Sequence, residues 1–121
     1  MALAAADLES LVDRFFRAAE ARDFEAFRAG FAAGAAIYQN GDALSLDELV
    51  AFAEKGTRSV RYVDVRRVVA NDAVIEQHRA EIVFPDGTPY TSRDICIVFR
   101  FDEDGRFARV DEYAPLQGVP R

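Results

Sequence analysis

The residues best suited to acid–base chemistry lie close together on one predicted strand. Glu76 and His78 are two positions apart in the run from Val74 to Phe84, and His78 is the only histidine of the chain. Because successive side chains of a strand point to opposite faces, Glu76 and His78 share a face, with side chains roughly 7 Å apart. An imidazole near a carboxylate suits a general base or acid. We therefore predict Glu76 and His78 as catalytic residues.

A tyrosine on an earlier strand supplies the third catalytic candidate. Tyr38 ends a short apolar run, and Asn40 begins the turn that follows. A phenol can donate a hydrogen bond to a carbonyl or a developing oxyanion, and an amide can fix the substrate. Structural interpretations stay open for each candidate. His78 would then be a packing residue and Tyr38 a wall of the pocket, while Glu76 would pair with Arg79 across strands.

The apolar pattern predicts helices in the first half of the chain and strands in the second. The predicted helices span 7–21, 24–31 and 46–55, and the predicted strands span 35–39, 60–70, 74–84, 95–101 and 107–113. Asp23 is the predicted N-cap of the second helix, and Ser45 with Glu48 forms a capping box for the third. We expect an α+β fold: a cone-shaped, curved mixed or antiparallel sheet wrapped on three N-terminal helices, in one domain over residues 1–121.

Composition argues against several classes of partner. The net charge is −6, and 15 bases are scattered among 21 acids, so no basic face is expected to bind nucleic acid. One histidine and a lone Cys96, predicted to be a buried structural thiol, make a metal site unexpected. We also predict no cofactor. No apolar run approaches the roughly 18 residues that a membrane span needs, and the apolar start lacks a basic leader. We expect a cytoplasmic protein that does not bind membranes.

Apolar residues occur on both faces of the predicted strands, which a sheet with one wet face would avoid. In strand 95–101, for example, Cys96 and Val98 alternate with Ile95, Ile97 and Phe99. We therefore expect a homodimer through the outer sheet face. The alternative is a monomer in which long arginine side chains shield that face: Arg67, Arg79 and Arg100.

From Leu8 to about Ala114 the chain resembles the nuclear transport factor 2-like superfamily, and within it the SnoaL-like and ketosteroid isomerase-like proteins. Four segments carry the resemblance, and they hold packing and turn residues: 18–24, 31–37, 68–72 and 98–101. The resemblance implies a cone of curved sheet on a long helix, an apolar pocket at the open end, and usually a dimer.

The catalytic residues of two relatives transfer poorly to this sequence. The tyrosine and two aspartates of ketosteroid isomerases fall on Phe15, Gln39 and Ile97, so steroid isomerase activity is not expected. The tyrosine and asparagine of the limonene epoxide hydrolase pattern do fit, in the segment 38–40. Its Arg-x-Asp pair falls near the segment 76–78, which has different chemistry, and Pro115 replaces or displaces its last aspartate.

We expect a pocket for a small, mostly apolar molecule, with acid–base chemistry on a carbonyl compound or an epoxide. The predicted ligand-binding residues are Phe15, Asn40, Phe52, Ile97 and Phe99. The alternative is a ligand-binding or association domain without catalysis. Buried and convergent His78, Glu76 and Tyr38 would favour an enzyme. A cone filled by phenylalanines would favour the alternative: Phe15, Phe52, Phe99 and Phe101.

Overall fold

The computed structural model describes residues 3–115, which form three helices and one curved, unclosed, seven-stranded sheet. The elements are α1 (Ala5–Ala21), α2 (Phe24–Ala29), β1 (Phe31–Gln39), β2 (Asp42–Leu44), α3 (Leu46–Lys55), β3 (Ser59–Val69), β4 (Ala73–Val83), β5 (Pro89–Thr91), β6 (Ile95–Phe101) and β7 (Phe107–Tyr113). The strand order is β2-β1-β7-β6-β4-β3, with β5 paired to β4. All these pairs are antiparallel except β1 with β7, so the sheet is mixed. The predicted α+β fold is confirmed.

Local sequence signals place the helices. The side chain of Asp23 accepts a hydrogen bond from the backbone of Ala26 at the start of α2, and Ser45 and Glu48 form the predicted capping box of α3. Helix α1 ends at Arg22, which has a left-handed backbone (φ 58°). Its guanidinium donates to backbone carbonyls at the end of α3, and these contacts tie the two helices together.

Two short strands and one boundary differ from the prediction. β2 and β5 have three residues each, too few for a periodic pattern to reveal. Helix α2 ends at Ala29, and β1 already begins at Phe31, so the predicted helix was too long and the predicted strand too short. The backbone of Gly34 is left-handed (φ 72°) and lies where the register of β1 against β7 shifts. The alternation of side chains is interrupted there, so the sequence pattern does not reveal the first part of this strand.

An aromatic core lies between α1 and the sheet. The ring of Phe15 lies 4.5–5.7 Å from five other phenylalanine rings: Phe16, Phe27, Phe31, Phe99 and Phe107. Phe99 and Phe107 are almost fully buried. The polar residues of the inner sheet face lie outside this cluster. No helix within residues 3–115 is long and apolar enough to cross a bilayer.

The outer sheet face carries a row of apolar side chains. Val68 on β3 is opposite Ile75 on β4, and Ile75 is opposite Val98 on β6. Val68 and Ile75 are 64% and 36% exposed. Cys96, predicted to be buried, is only half-buried and belongs to the neighbouring outer row, because β6 directs Ile97 and Phe99 inward instead.

Candidate active site

Five strands contribute one row of side chains to the inner face of the sheet, and all but one member are polar. Direct cross-strand pairing gives the order Arg67, Glu76, Ile97, Glu112 and Gln39. His78 is on the same face of β4, one inner position beyond Glu76, and is paired with Ile95. The register of the sheet therefore concentrates the titratable groups in one zone of the cone.

Glu76 and His78 form a buried, directly bonded pair. His78 Nδ1 lies 2.5 Å from Glu76 Oε2, and the side chains are 1% and 0% exposed. The prediction of a shared face is met, but the expected separation of roughly 7 Å is wrong, because the two side chains lean along the strand toward each other. Glu76 also accepts from Arg67 through its other oxygen, and the arrangement suits a His78 tautomer that carries its proton on Nδ1 and donates it to Oε2.

The second ring nitrogen of His78 is left for another partner. Within residues 3–115 no group forms a hydrogen bond with Nε2. In the same part of the chain, every fully buried side-chain nitrogen or oxygen has a hydrogen-bond partner. The side chain of His78 as a whole is 1% exposed. With Nδ1 protonated, Nε2 carries the lone pair of the neutral ring and is able to take up a proton.

Arg67 connects this buried pair to the surface. Its Nε donates to Glu76 Oε1 at 2.5 Å, and its second nitrogen donates to Asp13 on α1 at 2.6 Å. Burial alone would lower the pKa of Arg67, but the hydrogen bonds to Glu76 and Asp13 outweigh it and raise the pKa above its ordinary value. Two alternatives left open by the sequence placed Arg67 on the outer face as a shield and paired Glu76 with Arg79. The structure instead pairs Arg79 with Asp64 on the surface.

Two aromatic rings hold the imidazole of His78 in place. The ring centroids of Phe16 and Tyr62 lie 5.1 and 4.8 Å from it, both in edge-to-face arrangements. Burial raises the pKa of Tyr62 above its ordinary value, and nearby carboxylates, Glu112 first among them, raise it further. The phenol therefore stays protonated and is suited to donate a hydrogen bond.

Glu112 and Gln39 form a second polar pair across the inner row. The amide of Gln39 donates to Glu112 Oε1 at 2.6 Å. Burial raises the pKa of the Glu112 carboxyl, while the hydrogen bond from Gln39 and the nearby His78 act in the opposite direction. Glu112 was not among the site residues predicted from the sequence. Its spacing of two from Val110, which is buried, was the signal for an inward orientation.

Tyr38 does not join this group. Its strand directs Ile37 into the core, and alternation then turns Tyr38 to the outer face. There the guanidinium of Arg109 lies over its ring, 4.6 Å from the centroid. The predicted convergence of Tyr38 with Glu76 and His78 is therefore wrong.

The five predicted ligand-binding residues fall into four environments. Phe15 and Phe99 belong to the aromatic core, and Ile97 lies at the centre of the polar inner row. The side chain of Asn40 bonds both the backbone N–H and the carbonyl of Ala114, which holds a turn. Phe52 is 57% exposed on α3. Of the five, only Ile97 lies between the polar groups described above.

A small lateral cavity opens beside the buried pair, between α1 and the edge strand β3. Its volume is about 100 Å³, and Glu76, Arg67 and Tyr62 form part of its wall. This is smaller than the roughly 300–1,000 Å³ typical of ligand pockets. Among the titratable side chains of residues 3–115, no group of three or more is arranged to hold a metal ion.

Comparison with known proteins agrees with this architecture. A protein from Xanthomonas campestris pv. campestris, provisionally named a polyketide cyclase, is 18% identical, with 93% of each chain covered and a TM-score of 0.80. An LEH-like epoxide hydrolase from M. tuberculosis is 16% identical, covering 93% of this chain and 85% of its own, with a TM-score of 0.75. An NTF2-like protein of unknown function from Burkholderia pseudomallei is also 16% identical, with 90% and 91% covered and the same TM-score.

At these identities the likeness concerns the fold. No curated protein matches the sequence significantly. The profile of the SnoaL-like domain, however, matches residues 12–110, which include the second part of α1, the paired Glu76 and His78, and most of the sheet. The resemblance inferred from the packing and turn segments is therefore confirmed, and the chain belongs to the SnoaL-like domain family.

Proposed function

We propose that the protein is an enzyme that uses Glu76 and His78 as an acid–base pair on a small, mostly apolar molecule bound in the cone. The observation that carries the proposal is the directly bonded, buried pair, with Nε2 of His78 free of any partner within residues 3–115. A histidine that served packing alone would have no need of a buried ionised partner, which is costly to desolvate.

The chemistry follows from the protonation states. Glu76 holds the Nδ1–H tautomer of His78, so Nε2 takes a proton from the substrate and Glu76 stabilises the imidazolium that forms. Tyr62, whose pKa burial raises, takes the role that the sequence interpretation gave to Tyr38 and donates to a carbonyl or epoxide oxygen. Nε2 then returns the proton to the product. No co-reactant is needed for an isomerisation or a cyclisation.

Structural neighbours support this reaction class. One is provisionally named a polyketide cyclase and another is named an epoxide hydrolase, and both names describe substrates with carbonyl or epoxide oxygens. We extend only the general class to this chain. The catalysts of ketosteroid isomerase are replaced here by Phe15, Gln39 and Ile97, which argues against that reaction.

A binding domain without catalysis is the second candidate function. It is favoured by the aromatic core, where Phe15 contacts five other rings, and by the small volume of the cavity beside Glu76. In that case the polar inner row would position a ligand and His78 would exchange no proton with it.

We also propose that two copies associate through the outer sheet face. The contiguous apolar row of Val68, Ile75 and Val98 is the centre of the expected contact. A two-fold arrangement would place this row against itself and remove it from water.

The deciding experiment follows the ring resonances of His78 by NMR while a panel of steroids, terpenoid epoxides and polyketide-like phenols is added. The only histidine gives an unambiguous signal. We expect at least one compound class to shift the His78 ring signals and to be chemically converted, with conversion lost in His78→Gln. Binding without conversion would favour the second candidate function, and no response to any compound would contradict both.

A further inference from the structure

The lateral cavity beside Glu76 lies at the edge of the sheet, away from the Glu112 end of the inner row. Helix α1 supplies Asp13 and Glu20 to its wall, and β3 supplies Tyr62, Val65 and Arg67. Because β3 is an edge strand, nothing in the sheet lies beyond it. The cavity therefore reaches Glu76 from the side of the cone.

A bulge in β3 creates this opening. Val63 is opposite Arg79 and Arg66 is opposite Gln77, so the two residues between them on β3 face one residue of β4, which is His78. One of the two is Val65, 44% exposed and part of the cavity wall. The bulge thus interrupts the ladder beside the buried imidazole.

The size and lining of the cavity fit water. A volume of about 100 Å³ exceeds the roughly 10–15 Å³ needed for one water molecule. Carboxylates and a guanidinium, from Asp13, Glu76 and Arg67, supply the polar partners that ordered water requires. Glu76 belongs to the cavity wall, although its side chain is 0% exposed.

We propose that the lateral cavity is a water site through which the proton shared by Glu76 and His78 exchanges with solvent. The proton on Nδ1 passes to Oε2 of Glu76 and from there to a cavity water, and a proton from the same water replaces it, so the pair is unchanged overall. Arg67 cannot carry this proton because its pKa is raised further above the ordinary value. Such a route would let the pair recover its protonation state while a ligand fills the cone.

Val65 offers a direct test. In Val65→Phe the larger ring closes the mouth of the cavity, and Val65→Ala widens it. Val68→Phe, the same change on the outer face of the same strand, is the matched control because Val68 is 64% exposed and absent from the cavity wall. The measurement is the exchange rate of the His78 Nδ1 proton with water by NMR, in the free protein. The backbone amide of Gln77 reports local opening of β4 in the same samples.

We expect Val65→Phe to slow ring exchange by about tenfold or more, since exchange then requires local opening, with the Gln77 amide unchanged. Val65→Ala should speed it, and Val68→Phe should match the wild type. The inference would be overturned if the His78 Nδ1 proton exchanged at the same rate in all four proteins. A resonance too broad to detect in every one of them would count as the same result. If Val65→Phe fails to fold, an unchanged rate in Val65→Ala overturns it alone. The inference concerns the same pair as the proposed function, but no ligand is used, so either can fail separately.

Discussion

Arg67 and Glu76 are directly opposite each other on β3 and β4, and their side chains meet at 2.5 Å with the carboxylate completely buried. This pair joins two others, Asp13 with Arg67 and Glu76 with His78, so that charges alternate from the surface of α1 to the imidazole. A buried carboxylate that loses its cation is left uncompensated. The stability of the protein and the orientation of His78 therefore depend on the same contact.

Removing the charge of Arg67 should destabilise the fold strongly. We expect Arg67→Met to lower the free energy of unfolding by about 3–5 kcal/mol, because Glu76 keeps only His78 as a partner. The matched control is Arg66→Met, next in sequence but paired with Asp94 on the surface. For that exposed pair we expect about 0–1 kcal/mol. Urea denaturation of both variants measures the difference, and equal effects would contradict the importance of the buried contact.

Glu112 should make the stability of the protein depend on pH. Burial raises its pKa in the folded state above the ordinary value of 4.5, so the neutral carboxyl is favoured by folding. This contribution is complete below the ordinary pKa and is lost as pH rises through the raised one. Glu112→Gln should therefore gain stability relative to wild type as the pH rises above 4.5, the ordinary pKa of the carboxyl.

Denaturant unfolding at a series of pH values checks the behaviour of Glu112. Glu9→Gln, on the exposed side of α1, removes the same charge without a buried carboxyl and serves as the control. If the difference in free energy of unfolding between Glu112→Gln and wild type is constant with pH, burial does not raise the pKa of Glu112.

Tyr62 should ionise later than a free phenol. Burial and the neighbouring carboxylates raise its pKa above 10.0, so the protonated phenol is favoured in the folded state. Its contribution to stability is present below that value and is lost as pH rises through the folded pKa. In Tyr62→Phe the last step of the alkaline absorbance titration should disappear. A titration of the same shape in both proteins would contradict the buried position of the phenol.

A charge in the outer apolar row should prevent association of two copies. Ile75→Glu places a carboxylate between Val68 and Val98, where the proposed contact would bury it. Gln77→Glu adds the same group two residues further along the same face, in the neighbouring row. Light scattering should find wild type dimeric and Ile75→Glu monomeric, with Gln77→Glu affected less. A monomeric wild type would refute the proposed contact.

Much of the architecture could be read from sequence because it depends on local signals. The capping box at Ser45 and the N-cap at Asp23 are formed as predicted, and strict alternation brought Glu76 and His78 to one face. Tyr38 was misplaced because apolar residues occupy both faces of its strand, so alternation does not fix which face is inner. Only the packing of Ile37 against the core decides that.

The partners of the candidate pair could not be predicted, since they come from non-local pairing. Arg67 reaches Glu76 through a sheet register that no local pattern encodes, and Asp13 contacts Arg67 across 54 residues of sequence. Glu112 meets Gln39 across 73 residues, by the parallel pairing of β1 with β7. Such contacts depend on the tertiary arrangement of strands.

Tyr62 and Arg67 both face the interior although they are five residues apart, an odd spacing that regular alternation would split between the two faces. One additional residue in the β3 bulge restores them to the same side. Deleting a single residue from the segment 63–66 would turn either the phenol or the guanidinium outward, with every functional side chain still present in the sequence. The chemistry of this cone is therefore encoded partly in the length of a strand, and a relative that lacked this one residue would keep the fold and lose the arrangement.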